Sequence, residues 1–328
     1  MVRIGINGFG RIGRLALRIA EKNPNVEIVA INSRGTADSH AQLFKYDSTY
    51  GIFDAEVEAK NGNLFIDGRE ISVFQHSDPN DIPWDEVKVD VVIESTGLFC
   101  TKEKASAHLK SGVKRVVISA PGKGDIDGTF VMGVNEKDFD PSKDVIISNA
   151  SCTTNCLAPV AKVLDEAFGI DSGIMTTIHA FTNDQNILDN SHKKDMRRAR
   201  TASSSIIPTS TGAAKAVSLV LPQLKGKLTG FALRVPTETV SVVDLTLKLN
   251  KNVTEEEVNK AFTDAESKYL GINKLPLVSV DFKANSHSAI VDVEYTKVMG
   301  DNLVKVLAWY DNEWGYTCRL IDLVELAG

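Results

Sequence analysis

No stretch constrains this chain more than the six residues Gly8-Phe9-Gly10-Arg11-Ile12-Gly13. They follow a β-branched run, residues 2–7, and lead into a helical pattern over residues 14–22. Three glycines at this spacing allow a tight turn and a close backbone approach, so that a pyrophosphate can sit at the positive end of the following helix. Taken alone the spacing is a weak signal, and a tight strand-to-helix turn is the alternative reading. The strand before it and the helix after it favour a dinucleotide site.

The rest of the first half repeats this rhythm. Residues 27–32, 89–94, 115–119 and 145–148 read as further short strands between helical patterns, as in βαβ units with a parallel sheet. Asn61-Gly62 and Asp67-Gly68 punctuate alternating segments and predict an antiparallel excursion within that pattern. Beyond residue 150 the strands lengthen and alternate, as in residues 240–249, and Thr254-Glu255-Glu256-Glu257 carries a capping-box signature. The expected fold is α/β: a doubly wound, Rossmann-like nucleotide domain, then an α+β catalytic domain with a mixed, largely antiparallel sheet. We place the first domain at residues 1–150 plus 313–328 and the second at 151–312. A final helix over residues 314–326 is expected to pack back on the first domain.

Length and charge narrow the function classes. At 328 residues the chain exceeds one small core, and 43% hydrophobic with 24% charged residues is ordinary globular composition. No apolar run is long enough for a membrane span. A strand starting at Val2 leaves no room for a leader, so a cytoplasmic protein is expected. The net charge of -6 disfavours nucleic acid as a partner. Four scattered cysteines, Cys100, Cys152, Cys156 and Cys318, read as reduced thiols.

Cys152 precedes a helical run over residues 157–168, which puts it at a helix start where the dipole favours a thiolate. Cys156 falls one turn inside. Inert burial is the other reading of any of these thiols. A metal pair at Cys152 and Cys156 lacks a second pair of ligands, so no metal is expected. Among six histidines, His179 closes an apolar β-like run and is the candidate base, although strand-end histidines are commonly just hydrogen-bonded. Anion binding has two sources. One is the basic cluster Lys193-Lys194-Asp195-Met196-Arg197-Arg198-Ala199-Arg200, alternatively a solvated helix face; the other is Thr209-Ser210-Thr211-Gly212, which introduces a helix. Arg234 is a further candidate for a phosphate clamp. At the end of the second strand, where NAD sites carry an acidic residue, the chain has Ser33 and Arg34. A 2′-phosphate suits that pair, while a solvated turn accounts for Arg34 equally well.

Read together, Asn7-Gly8-Phe9-Gly10-Arg11-Ile12-Gly13-Arg14, Ala150-Ser151-Cys152-Thr153-Thr154-Asn155-Cys156, Arg197-Arg198-Ala199-Arg200, Pro208-Thr209-Ser210-Thr211-Gly212 and Trp309-Tyr310-Asp311-Asn312-Glu313 resemble the phosphorylating glyceraldehyde-3-phosphate dehydrogenases. The resemblance spans essentially the whole chain. It implies Cys152 as nucleophile and His179 as its activator, acting on a phosphorylated aldehyde and inorganic phosphate through a thioester. It assigns the substrate phosphate to Thr182 and Arg234, and inorganic phosphate to Ser151, Arg198, Thr211 and Gly212, with Thr153 in the same group. Cofactor contacts would come from Gly8, Gly10, Arg11, Ile12, Gly13, Thr96, Ser119 and Asn312. A homotetramer is implied as well. NAD-specific members usually have Asp at the position of Ser33 and Leu-Pro at Asn190-Ser191, so the departures imply NADP preference or dual specificity, with NAD as the alternative. The competing functions are an erythrose-4-phosphate dehydrogenase, an aspartate-semialdehyde dehydrogenase and a non-catalytic thiol sensor.

Overall fold

The computed structural model describes residues 1–328, which divide into two compact units. One comprises Met1–Ser151 with Thr317–Gly328; the other is Cys152–Tyr316.

The first unit is built on a nine-stranded sheet. From one edge the order is Gly128–Thr129, Ile146–Ser148, Arg115–Ile118, Val91–Glu94, Val2–Asn7, Val26–Asn32, Arg69–Phe74, Asn63–Ile66, Val57–Lys60. Pairings are parallel through Arg69–Phe74. The remaining two are antiparallel, which is the excursion that the Asn-Gly and Asp-Gly turns predict. At both turns the two central residues are left-handed: Asn61 at φ 53° with Gly62 at 80°, and Asp67 at 46° with Gly68 at 78°. That is the primed turn geometry whose twist matches a hairpin. Central strands are apolar throughout because both faces are covered; Val91–Glu94 is buried at every position. The chain lays Val26–Asn32 on one side of Val2–Asn7 and then returns to place Val91–Glu94 on the other. This reversal is the switch point at which doubly wound sheets bind ligands, outside the strands' carboxyl ends.

The first helix is Arg11–Ala20, starting three residues before the patterned run. Close packing explains the shift, since Gly13 already belongs to the helix and a side chain there would meet the Gly8 carbonyl oxygen at 2.3 Å. The last residues of the chain complete this unit: Arg115 Nη1 donates to the Ala327 carbonyl at 2.6 Å, and Asn23 and Asn25 donate to Glu325.

The second unit has a seven-stranded sheet in the order Ile207–Ser210, Leu228–Val235, Ile170–Ala180, Ser241–Leu249, Leu303–Tyr310, Ala289–Met299, Leu270–Asn273. It is mixed and largely antiparallel. Only the Ile170–Ala180 with Leu228–Val235 and the Leu270–Asn273 with Ala289–Met299 pairings are parallel. Ser241–Leu249 alternates buried positions with half-buried or exposed ones, as a strand with one packed face should. The helix Cys152–Phe168 is buried continuously from Thr153 to Ala161, so it is a core helix and not an amphipathic surface one. Thr254 and Glu257 close the capping box reciprocally, at 3.2 and 2.8 Å. No helix is long and apolar enough to cross a membrane.

Candidate active site

The position of Cys152, the candidate nucleophile, follows from where its helix starts. Ala150 adopts a left-handed φ of 54°, and two residues later Cys152 is the first residue of Cys152–Phe168. Thr153's hydroxyl and the first-turn N–H groups of Cys152 and Thr153 favour the thiolate, as does the Arg234 charge. Burial outweighs all of them and raises the thiol pKa. Cys152 does stand at a helix start, as its sequence position predicts, but the dipole there acts in a desolvated corner. The other cysteines fit inert roles better. Cys156 is fully buried, its Sγ faces the Ala308 carbonyl at 3.7 Å, and burial pushes its pKa well up. Burial also raises Cys100.

His179 is the second-last residue of Ile170–Ala180 and pairs in parallel register with Arg234 of Leu228–Val235. Cross-strand neighbours share a face of the sheet, so the ring and the guanidinium meet. His179 Nε2 lies 3.4 Å from Cys152 Sγ. Its Nδ1 lies 2.7 Å from the Ala180 carbonyl oxygen and 2.6 Å from Arg234 Nη1, which also donates to that carbonyl at 3.2 Å. Burial first, and the Arg234 charge second, lower the His179 pKa to about 3. The imidazole is thus neutral at physiological pH. Arg234 is itself held below its ordinary value by burial.

Sequence reading missed Tyr310 as a member of this cluster. Its hydroxyl sits between Thr153 Oγ1 at 3.0 Å and Thr177 Oγ1 at 2.8 Å, tying the start of the cysteine helix to the histidine strand. The ring also meets His179 edge-on, with centroids 6.0 Å apart. The signal was present: Leu303–Tyr310 alternates, and Tyr310 falls on the buried face. Asn312, a sequence candidate, is buried, and its Oδ1 accepts the Ser241 hydroxyl at 2.8 Å. That same Ser241 oxygen accepts the Ala180 N–H at 3.0 Å, so the amide is oriented from the histidine strand.

The anion candidates are less tightly assembled. The basic cluster at residues 193–200 is turns and bends, so it is not a helix face. Arg198 binds Asp184 and, at 3.3 Å, Asp195. Thr182 N–H donates to Gln185 Oε1 at 3.2 Å. Thr211 Oγ1 accepts the Ala213 N–H at 3.2 Å, and Gly212 caps Ala213–Val220 without a side chain of its own.

In the first unit the glycine loop fits a phosphate. A side chain on Gly8, at φ 98°, would strike the Ser95 and Thr96 backbone at 2.8 Å, whereas one on Gly10 would meet nothing within 4 Å. Packing thus requires the outer glycines, and the middle one opens the N-terminus of Arg11–Ala20, whose cap has no side-chain bond. Arg11 pairs with Asp47 at 2.6 Å, and Ile12 is half-buried beside it. Thr96 binds Glu94 through its N–H at 2.8 Å and through its hydroxyl, while Ser119 N–H donates to the Glu94 carbonyl at 2.9 Å. Ser33 is half-buried and Arg34, Asn190 and Ser191 are exposed.

A buried network beneath this loop also escaped the sequence reading. Asn32 Nδ2 donates to Asn7 Oδ1 at 2.8 Å, and Asn7 Nδ2 donates to Glu94 Oε2 at 2.6 Å. That carboxylate faces His108 Nε2 at 3.2 Å, and Trp84 Nε1–H donates to His108 Nδ1 at 3.1 Å. Its members lie up to 101 residues apart, beyond the reach of local patterns.

Comparison with known proteins agrees with both halves of this description. Residues 2–102 match the glyceraldehyde 3-phosphate dehydrogenase NAD binding domain, and residues 151–312 match the C-terminal domain of the same family. Glyceraldehyde-3-phosphate dehydrogenase 2 of Bacillus subtilis is 55% identical over 327 residues, covering 98% of this chain and 96% of the relative. The Geobacillus stearothermophilus glyceraldehyde-3-phosphate dehydrogenase is 55% identical over 326 residues, covering 98% and 97%. The chloroplastic glyceraldehyde-3-phosphate dehydrogenase A of Zea mays is 52% identical over 334 residues, covering 99% and 82%. With a glycine loop at a parallel-sheet switch point and a cysteine facing a strand-end histidine, the chain belongs to the glyceraldehyde-3-phosphate dehydrogenase family.

Proposed function

We propose that this NAD(P)-dependent oxidoreductase converts D-glyceraldehyde 3-phosphate and inorganic phosphate reversibly to 1,3-bisphosphoglycerate, with NADP preferred or used alongside NAD. The 3.4 Å approach of His179 Nε2 to Cys152 Sγ carries the reading, because it pairs a nucleophile with a proton-handling group. A nicotinamide dinucleotide, when bound, supplies the hydride acceptor.

The remaining steps belong to the chain. Cys152 Sγ adds to the aldehyde carbon while His179 Nε2 passes the thiol proton to the carbonyl oxygen, giving a thiohemiacetal, and Nε2 then takes the hydroxyl proton as the hydride leaves that carbon for the dinucleotide and the thioester forms. Arg234 and Thr182 hold the substrate's phosphate. Ser151, Thr153, Arg198, Thr211 and Gly212 position the inorganic phosphate whose oxygen attacks the thioester carbon and releases Cys152 as a thiolate. Gly8, Gly10, Arg11, Ile12, Gly13, Thr96, Ser119 and Asn312 form the dinucleotide contacts. On this reading residues 1–150 plus 313–328 bind the dinucleotide and residues 151–312 carry the chemistry, within a homotetramer. Ser33, Arg34, Asn190 and Ser191 support NADP: none is acidic, and Arg34 is exposed for a phosphate dianion.

Steady-state assays with each dinucleotide, with and without inorganic phosphate, test this. We expect phosphate-dependent turnover that Cys152→Ser abolishes, and kcat/KM for NADP at least equal to that for NAD. A kcat/KM for NAD well above that for NADP would refute the cofactor preference. Turnover independent of phosphate would move the assignment to an erythrose-4-phosphate type of dehydrogenase. Light scattering that gives a monomer would remove the tetramer.

A further inference from the structure

The turn that follows Val26–Asn32 is fastened from several sides. Ser33 N–H donates to the Phe74 carbonyl at 3.0 Å, and the Asn32 amide exchanges two bonds of 2.9 Å with the His76 backbone. These bonds join the ends of two paired strands, Val26–Asn32 and Arg69–Phe74. Two further contacts reach past the strand end to Gly35. Gln75 Nε2 donates to the Gly35 carbonyl at 2.8 Å, from an exposed residue. His40 packs so closely on Gly35 that a side chain there would come within 2.6 Å of its Cε1. Gly35 does not have a left-handed backbone, so the ring, and not a dihedral, is what excludes a larger residue.

His40 is 4% exposed, and its Nε2 has no hydrogen-bond partner. An unmatched buried nitrogen is unfavourable, so apolar packing alone does not account for a histidine there. Its ring also meets Phe9 of the glycine loop edge-on, with centroids 5.2 Å apart. Burial first, and the Arg14 charge second, lower its pKa. The ring is therefore neutral and meets the turn by shape, as a flat wedge that touches both the glycine loop and Gly35.

Between the fastened residues Ser33 and Gly35 stands Arg34. It is exposed and pairs with no carboxylate of the chain, while Ser33 is half-buried. We propose that Gln75 and His40 are positioning residues for the ribose 2′ site: by fixing Gly35 they hold Ser33 and Arg34 in place for a 2′-phosphate, and so set the preference for NADP over NAD. The inference rests on the reading of Ser33 and Arg34 as the groups that meet that phosphate. A guanidinium–phosphate pair is charge-assisted and directional. If the backbone under Arg34 were mobile, binding would have to order it, and that cost would be subtracted from the affinity. A 2′-hydroxyl makes neutral bonds and does not call on Arg34, so NAD gains little from the clamp.

Isothermal titration calorimetry of NADP and of NAD on the full chain tests this in the wild type, Gln75→Ala, Arg34→Ala, the double variant and Gly35→Ala. Gln75→Ala should raise the Kd for NADP at least about fivefold and that for NAD less than about twofold. In the Arg34→Ala background the same change should raise the NADP Kd less than about twofold, because the clamp acts through Arg34. Gly35→Ala, which pushes the turn off the His40 ring, should weaken NADP selectively as well. Equal losses for both dinucleotides in Gln75→Ala, or effects of Gln75→Ala and Arg34→Ala on NADP that simply multiply, would overturn the proposal; equal losses in Gly35→Ala would remove His40 from it. Arg34→Ala separates this inference from the cofactor reading. If Arg34→Ala weakens NADP and Gln75→Ala does not, the clamp fails and the cofactor reading stands, whereas an NADP Kd indifferent to Arg34→Ala sinks both.

Discussion

Of the three buried histidines, His40, His108 and His179, the last two bond to other side chains, one in each unit, and they are wired differently. His108 Nδ1 accepts from Trp84, which can only donate, so Nε2 carries the ring proton toward Glu94; Asn7 Nδ2, 3.4 Å from the same Nε2, gives its shorter bond of 2.6 Å to that carboxylate. His179 has an Nδ1 with two incompatible partners and an Nε2 that faces a thiol. The first network closes on a carboxylate that accepts from all of its neighbours, whereas the second sets a donor and an acceptor against one ring nitrogen beside a thiol.

Substitutions can break this contrast. The largest effect is expected at the contested site: Cys152→Ser should cost on the order of 10⁴-fold or more in kcat, and His179→Asn on the order of 10²–10⁴-fold, both read by steady-state assay. At the closed network the loss should appear in stability. Glu94→Leu strands the Asn7, Thr96 and His108 donors and should lower the unfolding free energy by about 3 kcal/mol in urea, with kcat little changed at saturating dinucleotide. A large loss of kcat with unaltered stability would mean that the closed network is also chemical.

A pH experiment sharpens the same point. The folded His179 pKa of about 3 lies below the unfolded value near 6.5, so between these limits only the unfolded chain binds the proton. Stability from this residue is fully present above the unfolded value and falls as pH drops through the window. The wild type should lose up to about 1.4 kcal/mol per pH unit more than His179→Asn between about pH 6 and pH 4. Parallel stability curves for the two proteins would show that the ring is not buried neutral. The smallest effect is expected from Tyr310→Phe, which removes the hydroxyl between Thr153 and Thr177 and should lower kcat about tenfold. Its pH–rate profile should shift as well, since the cysteine and the histidine lose their common tether.

How much was legible beforehand depended on how local each signal is. The glycine loop, the two primed turns and the capping box are set by residues a few positions apart, and the strands that flank them start within two residues of where the pattern puts them. Cys152 could be found because a helix start is a local feature. Its raised pKa could not, because desolvation depends on what the rest of the chain packs around it. Arg234 was nominated as a phosphate clamp, but its grip on His179 depends on a strand pairing across 55 residues. Tyr310 and the Glu94–His108 network were missed for the same reason. For the basic run at residues 193–200 a helix face was the alternative to an anion site, and the chain there turns, with Arg198 and Arg200 bound to Asp184 and Asp189 more than ten residues away.

The unit that holds the glycine loop is assembled from both ends of the chain, with Arg115 gripping Ala327 and Glu325 binding Asn23 and Asn25. The cysteine unit, in contrast, is one uninterrupted segment. On a ribosome, then, the unit that begins first is finished last: its sheet has all its strands by Ser148, but the contacts from residues 317–328 wait for the final helix. A nascent chain therefore has its cysteine unit fully synthesised before the residues that complete the glycine-loop unit.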